Sequence, residues 1–170
     1  MKSDIQVNIY IVDSRPDYAD ELGNALQSHL NVNLHRFMTG EQFLEYVHAH
    51  GVPIRQVHVA VVAFRHASAV DYVMNGLEVL EVVQRIAPSV RVVMVGEQED
   101  LEFGAQARSN GAEAIVMYTQ CTSLQLSALV LRIVSPLRKS IRKKQLTLVS
   151  LELLVSVAIL SVCVFFIVNP

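Results

Sequence analysis

Few residues in this sequence have the type and spacing that chemistry requires. One that does is Glu152, set inside the apolar run LTLVSLELLVSVAILSVCVFFIV from Leu146 to Val168. An ionisable group in such a run is costly unless it is paired, neutral or able to reach polar surroundings, so it marks either a functional position or a headgroup contact near Lys144. On a helix turning about 100° per residue, Gln145, Glu152, Ser156 and Cys163 fall close to one line. Polar and small residues on one stripe are how helices in lipid recognise each other, so Glu152, Ser156 and Cys163 are expected to meet a partner. Elsewhere the candidates thin out. His48 and His50 stand at i and i+2, which points their rings to different sides of a helix and argues against a metal site. Asp17, Asp20 and Glu21 gather where acids favour the positive end of a helix. Glu97, Glu99, Asp100 and Glu102 suit a solvated loop and helix start, or a basic partner. Glycine-rich phosphate loops, nucleophile elbows and zinc spacings are missing from the sequence.

The elements that position these residues divide the chain in three. A helix over residues 146–168 is about 34 Å long, enough to cross a hydrocarbon core of about 30 Å, so a single C-terminal transmembrane helix is expected. The alternative is a long helix of a soluble domain. Arg138, Lys139, Arg142, Lys143 and Lys144 precede it, a basic cluster that belongs on the cytoplasmic side and over anionic lipid headgroups. Residues 135–145 then read as a juxtamembrane linker, with a kink or short break at Ser135-Pro136. Residues 1–134 form the remaining domain, expected in the cytoplasm and large enough for a proper core. The chain-wide net charge of −2 and 52 % apolar content average a polar domain with an apolar tail. Cys121 and Cys163 fall in different segments and imply no disulfide framework. Basic residues gathered beside the membrane do not suggest nucleic-acid binding.

Within residues 1–134, short β-branched runs alternate with helical patterns. VNIYIV (Val7 to Val12) predicts a first strand, and Pro16 can start the helix after it, capped by Ser14 or Asp17. Residues 32–37 predict a second strand, and Thr39 and Gly40 open a helix. Residues 57–64, VHVAVVAF, are apolar on both faces, as in the middle of a covered sheet. A helix over residues 77–86, a strand over 90–95, a helix over 100–110 closed by Gly111, a strand over 114–117 and a helix over 123–134 complete the series. Five βα units imply an α/β fold with a parallel sheet covered on both faces.

Val12-Asp13, Gly76-Leu77-Glu78-Val79-Leu80, VRVVMV and Ala107-Arg108-Ser109-Asn110-Gly111-Ala112 together resemble the receiver domain of bacterial response regulators, in the right order and near the right spacings over residues 6–135. The resemblance implies a flavodoxin-like, doubly wound (βα)5 sheet in the order 2-1-3-4-5. It also implies where the family's chemistry would sit. Receivers hold Mg²⁺ on an acidic pair after the first strand and accept phosphate on an aspartate ending the third. A hydroxyl ends the fourth strand and a lysine the fifth. The matching positions are Asp13-Ser14, Ala63, Gly96 and Tyr118, so one carboxylate remains of the whole set. Magnesium prefers several hard oxygen ligands, and a lone carboxylate leaves most of that to water.

The expectation is therefore a degenerate, non-catalytic pseudo-receiver without metal or cofactor, tethered to the inner membrane of a bacterium and docking protein partners. The face made by the fourth helix, fifth strand and fifth helix would be fixed in one state and available for a partner or a homodimer. Tyr118 would supply an interfacial ring there or merely fill the space of the lost site. Two alternatives differ in class. Asp71, in a segment with Ser68 that is longer than receivers usually carry, could serve as a displaced phosphoacceptor. Or the chain could be an accessory subunit held in a membrane complex mainly by its spanning helix.

Overall fold

The computed structural model describes residues 5–29, 31–64, 74–96, 101–118 and 122–168; the side chains of 29, 101, 102, 145, 146, 148–155 and 157–168 are not among them. Asp71, Ser68, Cys121 and the acids at 97, 99 and 100 lie outside the described residues, as do the side chains of Glu102, Glu152 and Cys163.

Every residue of β1 (Val7–Val12) and of β3 (Val57–Ala63) is buried, which places both strands in the sheet interior with helices on each side. Around them run β2 (Asn33–Phe37), β4 (Arg91–Gly96) and β5 (Ala114–Met117), all parallel, in the order β2-β1-β3-β4-β5. The expected doubly wound α/β order is therefore the observed one. Alternate side chains of β1 serve two cores. Ile9 and Ile11 pack with Leu22 and Leu26 of α1 (Pro16–His29) and with Leu126 and Val130 of α5 (Thr122–Val168). Tyr10 and Val12 face Phe43 of α2 (Gly40–His50), Leu80 of α3 (Gly76–Ile86) and Phe103 of α4 (Leu101–Ser109).

Local chemistry explains several boundaries. Thr39 caps α2 by accepting the Gln42 N–H, and Asn75 and Glu78 cap α3 reciprocally. Gly76 has no room for a side chain: a β-carbon there would meet the carbonyl oxygen of Ala63 and the Met94 side chain. Its N–H donates to Phe64 O at 2.9 Å, so the start of α3 lies directly against the end of β3. Gly111, at φ 92°, makes the left-handed turn between α4 and β5.

Of the kink or short break expected at Ser135-Pro136, the break is absent, since α5 runs unbroken through Pro136 to Val168. Packing accounts for the difference. Val134 is buried, and Leu137 and Ile141 pack against the same cluster as Leu126 and Val130, so apolar contacts on both sides of the proline favour continued helix. Ser135 Oγ donates to Leu131 O at 2.8 Å one turn earlier. Among the described residues no helix is long and apolar enough to cross a membrane. The run expected to do so, 146–168, consists mainly of positions whose side chains lie outside the description.

Candidate functional site

Parallel strands deliver their ends to one edge of the sheet, and that edge is where α/β folds place ligands. Asp13 follows β1 there and is 4 % exposed. Three donors of Arg15 converge on its carboxylate: the backbone N–H at 2.9 Å and Nε at 3.0 Å on Oδ1, and Nη2 at 2.8 Å on Oδ2. Tyr118, just past the end of β5, donates its hydroxyl to Oδ2 at 2.7 Å. The guanidinium also lies 4.1 Å above the Tyr118 ring and 5.0 Å from that of Tyr18, and the two rings meet edge to face at 5.1 Å.

The arrangement is electrostatically complete. Burial alone would raise the Asp13 pKa, but the hydrogen bonds from Arg15 and Tyr118 outweigh it and hold the carboxyl below its usual 3.8. The bond to Asp13 pushes the Arg15 pKa up further, against a smaller opposing effect of burial. Burial first, then the bond and charge of Asp13, drive Tyr118 far above the ordinary phenol range, so it stays a donor. Burial raises Tyr18 to about 12, with Asp13 adding to the shift. Its hydroxyl is buried without a hydrogen-bond partner among the described residues.

The other family positions stand close by without adding a reactive group. Ala63 closes β3 and contributes a methyl where an acceptor carboxylate would be needed. Phe64, one residue on, stacks on Phe103 with ring centroids 3.6 Å apart. Gly96 closes β4 and offers its carbonyl to the Tyr118 N–H at 2.9 Å. Ser14 lies between Asp13 and Arg15. The structure thus brings Asp13 and Tyr118 together from 105 residues apart. Among the described residues, no group of three or more His, Cys, Asp or Glu could hold a metal ion.

Sequence reasoning missed Arg15 and Tyr18. The only signal was an arginine two residues beyond the lone acid, a spacing that becomes a chelate only once the chain bends from strand to helix. Of the remaining predicted residues, Arg138 lies half-buried against the body of the domain, while Lys139, Arg142, Lys143 and Lys144 are exposed. Ser156 is exposed. A groove of about 680 Å³ lies far from Asp13, where β4 and β5 begin; Arg108 of α4, Ile115 of β5, and Arg132, Ile133 and Leu137 of α5 help to line it.

No protein-family model and no curated protein matches the chain. Solved structures do. The response regulator DrrB of Thermotoga maritima, an OmpR/PhoB homolog, superposes with a TM-score of 0.62 at 22 % identity, over 78 % of this chain and 54 % of that one. This chain thus spans about half of that regulator's length. A CheY-like receiver domain protein from Methanospirillum hungatei gives 0.66 at 18 % identity, over 79 % and 98 % of the two chains. The signal receiver domain of an HD domain-containing protein from Pseudomonas fluorescens gives 0.63 at 22 % identity, over 79 % and 98 %. The chain carries the CheY-like receiver fold of response regulators.

Proposed function

We propose that the chain is a non-catalytic pseudo-receiver that docks protein partners independently of phosphorylation, held at the cytoplasmic face of a bacterial membrane by the helix over residues 146–168. The observation that carries this reading is the closure of Asp13 by Arg15 and Tyr118. A guanidinium within the same loop supplies the positive charge that a metal would otherwise bring, and no acid ends β3. The carboxylate is engaged on both oxygens before any ligand arrives. A face that has no phosphate to sense keeps one shape, and a fixed shape suits constitutive docking. The groove between α4 and α5 combines arginines with an apolar floor, which suits a partner or a second copy of the chain at that face. The apolar run and the basic cluster before it support the membrane placement.

Incubating the full chain in neutral detergent with a small phosphodonor and Mg²⁺, followed by intact-mass measurement, tests the central claim. The expected result is no phosphoryl adduct. An adduct that disappears in Asp71→Asn would overturn it in favour of the displaced acceptor. Membrane fractionation and pull-down of the full chain beside a version ending at Lys144 test the rest. Retention of partners by the shorter version assigns recognition to the folded domain, and loss of every partner assigns it to the spanning helix.

A further inference from the structure

All five strands are parallel, so each helix begins at the carboxyl edge of the sheet and runs back to the amino edge. Charge follows that direction. Asp17, Glu41 and Glu78 stand in the first turns of α1, α2 and α3, and Arg85 and Arg108 in the last turns of α3 and α4. Helix dipoles account for that much. They do not account for two isoleucines left in water at the amino edge, each beside an arginine. Ile54 and Arg55 sit in the turn before β3, and Arg85 and Ile86 end α3 just before the turn into β4, the strand paired with β3. Ile54 is 86 % exposed and Ile86 48 % exposed. Both arginines are exposed, and neither joins an ion pair among the described residues.

The turns that carry these pairs are fixed. The Gln56 N–H donates to Pro53 O at 3.1 Å, His58 Nε2 reaches the same oxygen at 3.1 Å, and the Gln56 side chain accepts from Asn8 at 2.7 Å. The Val90 N–H closes the second turn by donating to Ala87 O at 3.0 Å. A single exposed aliphatic residue is ordinary. Two of them on anchored turns at the entrances of neighbouring strands, each next to a cation, have the composition that suits anionic headgroups above acyl chains. The anchor leaves the domain at this same edge. Arg132, Ile133 and Leu137 of α5 line a groove with Glu113 and Ala114 where β5 begins, and Arg138 lines another with Ile5 and Gln6 before β1. Leu146 lies eight residues beyond Arg138 on the unbroken helix, about 12 Å further. The headgroup region fills about 5–8 Å of that distance, which leaves a gap of about one side chain.

We propose that the amino edge of the sheet is a membrane-docking surface, in which Ile54 and Ile86 enter the boundary between headgroups and acyl chains of an anionic bilayer while Arg55 and Arg85 pair with lipid phosphates around them. The proposal rests on the membrane reading of residues 146–168 given above. Docking fixes the tilt of the domain on its anchor. It also turns the acidic helix starts and the Asp13 assembly away from the bilayer, where like charge would otherwise oppose contact.

The chain contains no tryptophan, so Ile54→Trp introduces a single fluorescent reporter. Met38→Trp is the control, an exposed position just past β2 at the carboxyl edge. Full-length chains are reconstituted into vesicles of phosphatidylcholine with and without phosphatidylglycerol, and with and without bromine on the acyl chains. Flotation on a density gradient reads membrane insertion, and circular dichroism reads the fold. In phosphatidylglycerol vesicles the tryptophan at 54 is expected to shift to the blue and to be quenched by bromine about twofold or more, while the one at 38 does neither. Adding Arg55→Gln and Arg85→Gln to the reporter chain is expected to return the quenching to its level in phosphatidylcholine alone. Equal quenching at 54 and 38, equal quenching with and without phosphatidylglycerol, or quenching unchanged by the two arginine substitutions would each overturn the proposal. So would a blue shift at 54 that bromine does not quench, since protein rather than lipid would then cover the turn. Chains that float with the vesicles yet give any of these results leave the anchor standing, whereas chains that do not float overturn the membrane reading and this proposal with it.

Discussion

Two buried polar assemblies in this domain solve the same problem in opposite ways. At the carboxyl edge of the sheet, Asp13 stays charged because Arg15 and Tyr118 surround it. Inside the sheet, His58 stays neutral. Its Nδ1 lies 2.9 Å from the Tyr10 hydroxyl and its Nε2 3.1 Å from Pro53 O, and its ring stacks on Tyr10. Since a carbonyl can only accept, Nε2 carries the hydrogen and the Tyr10 hydroxyl donates to Nδ1 in the neutral ring. Burial pushes the His58 pKa below 6.5, and nearby His35 lowers it further, against the raising effect of the Pro53 carbonyl. An edge with an arginine on hand can keep a charge, whereas a β-strand interior 2 % exposed keeps a proton count of zero net charge.

The contrast yields variants of decreasing effect. His58→Ala removes a ring from a packed interior and strands both the Tyr10 hydroxyl and the Pro53 carbonyl; a loss of about 4 kcal/mol is expected from urea unfolding. Arg15→Ala leaves the Asp13 carboxylate buried without its cation. The expected loss is about 2 kcal/mol, less than for a fully enclosed pair because the Arg15 side chain is itself 41 % exposed. The same variant should raise the Asp13 pKa in an NMR titration, and an unmoved value would mean that Tyr118 alone sets the charge. Tyr118→Phe keeps the ring beneath the guanidinium and deletes one bond to a charged oxygen, for about 1.5 kcal/mol.

Acid should separate the two assemblies without any mutation. For His58 the unfolded chain takes a proton near 6.5 and the folded one resists it. Its contribution is therefore complete above pH 6.5 and is lost as pH falls from there to the lowered folded value. For Asp13 the folded pKa lies below 3.8, so its contribution is complete above that pH and is lost only at more acidic values. Stability measured against pH is expected to fall in two steps. In His58→Phe the upper step should shrink while the lower one persists, and an unchanged upper step would assign it to His35 or to another histidine.

Much of the fold was legible because it is written in runs. VNIYIV, VHVAVVAF and VRVVMV read as strands, VHVAVVAF as a covered one, and the crowding at Gly76 against β3 explains why a glycine stands where the helix begins. The Asp13 position was also legible, through its place after the first strand. What closes it was not. Arg15 reaches Asp13 through a bend rather than a periodicity, and Tyr118 arrives from the far side of the sheet. His58 was hidden for the opposite reason, since one imidazole inside an apolar strand carries no pattern of its own. That α5 passes Pro136 without a break escaped the sequence because the contacts that favour it, from Leu137 and Ile141, are tertiary.

The hydrogen bond between Tyr118 and Asp13 has a kinetic consequence. It joins residues 105 apart, so closing it early would require a long loop to be ordered before other contacts reward it. The strands between them are expected to pair first, with this bond forming after the rate-limiting step. Deleting the hydroxyl should therefore leave the refolding rate nearly untouched and appear almost entirely as faster unfolding, which makes the bond a latch on the lifetime of the native state.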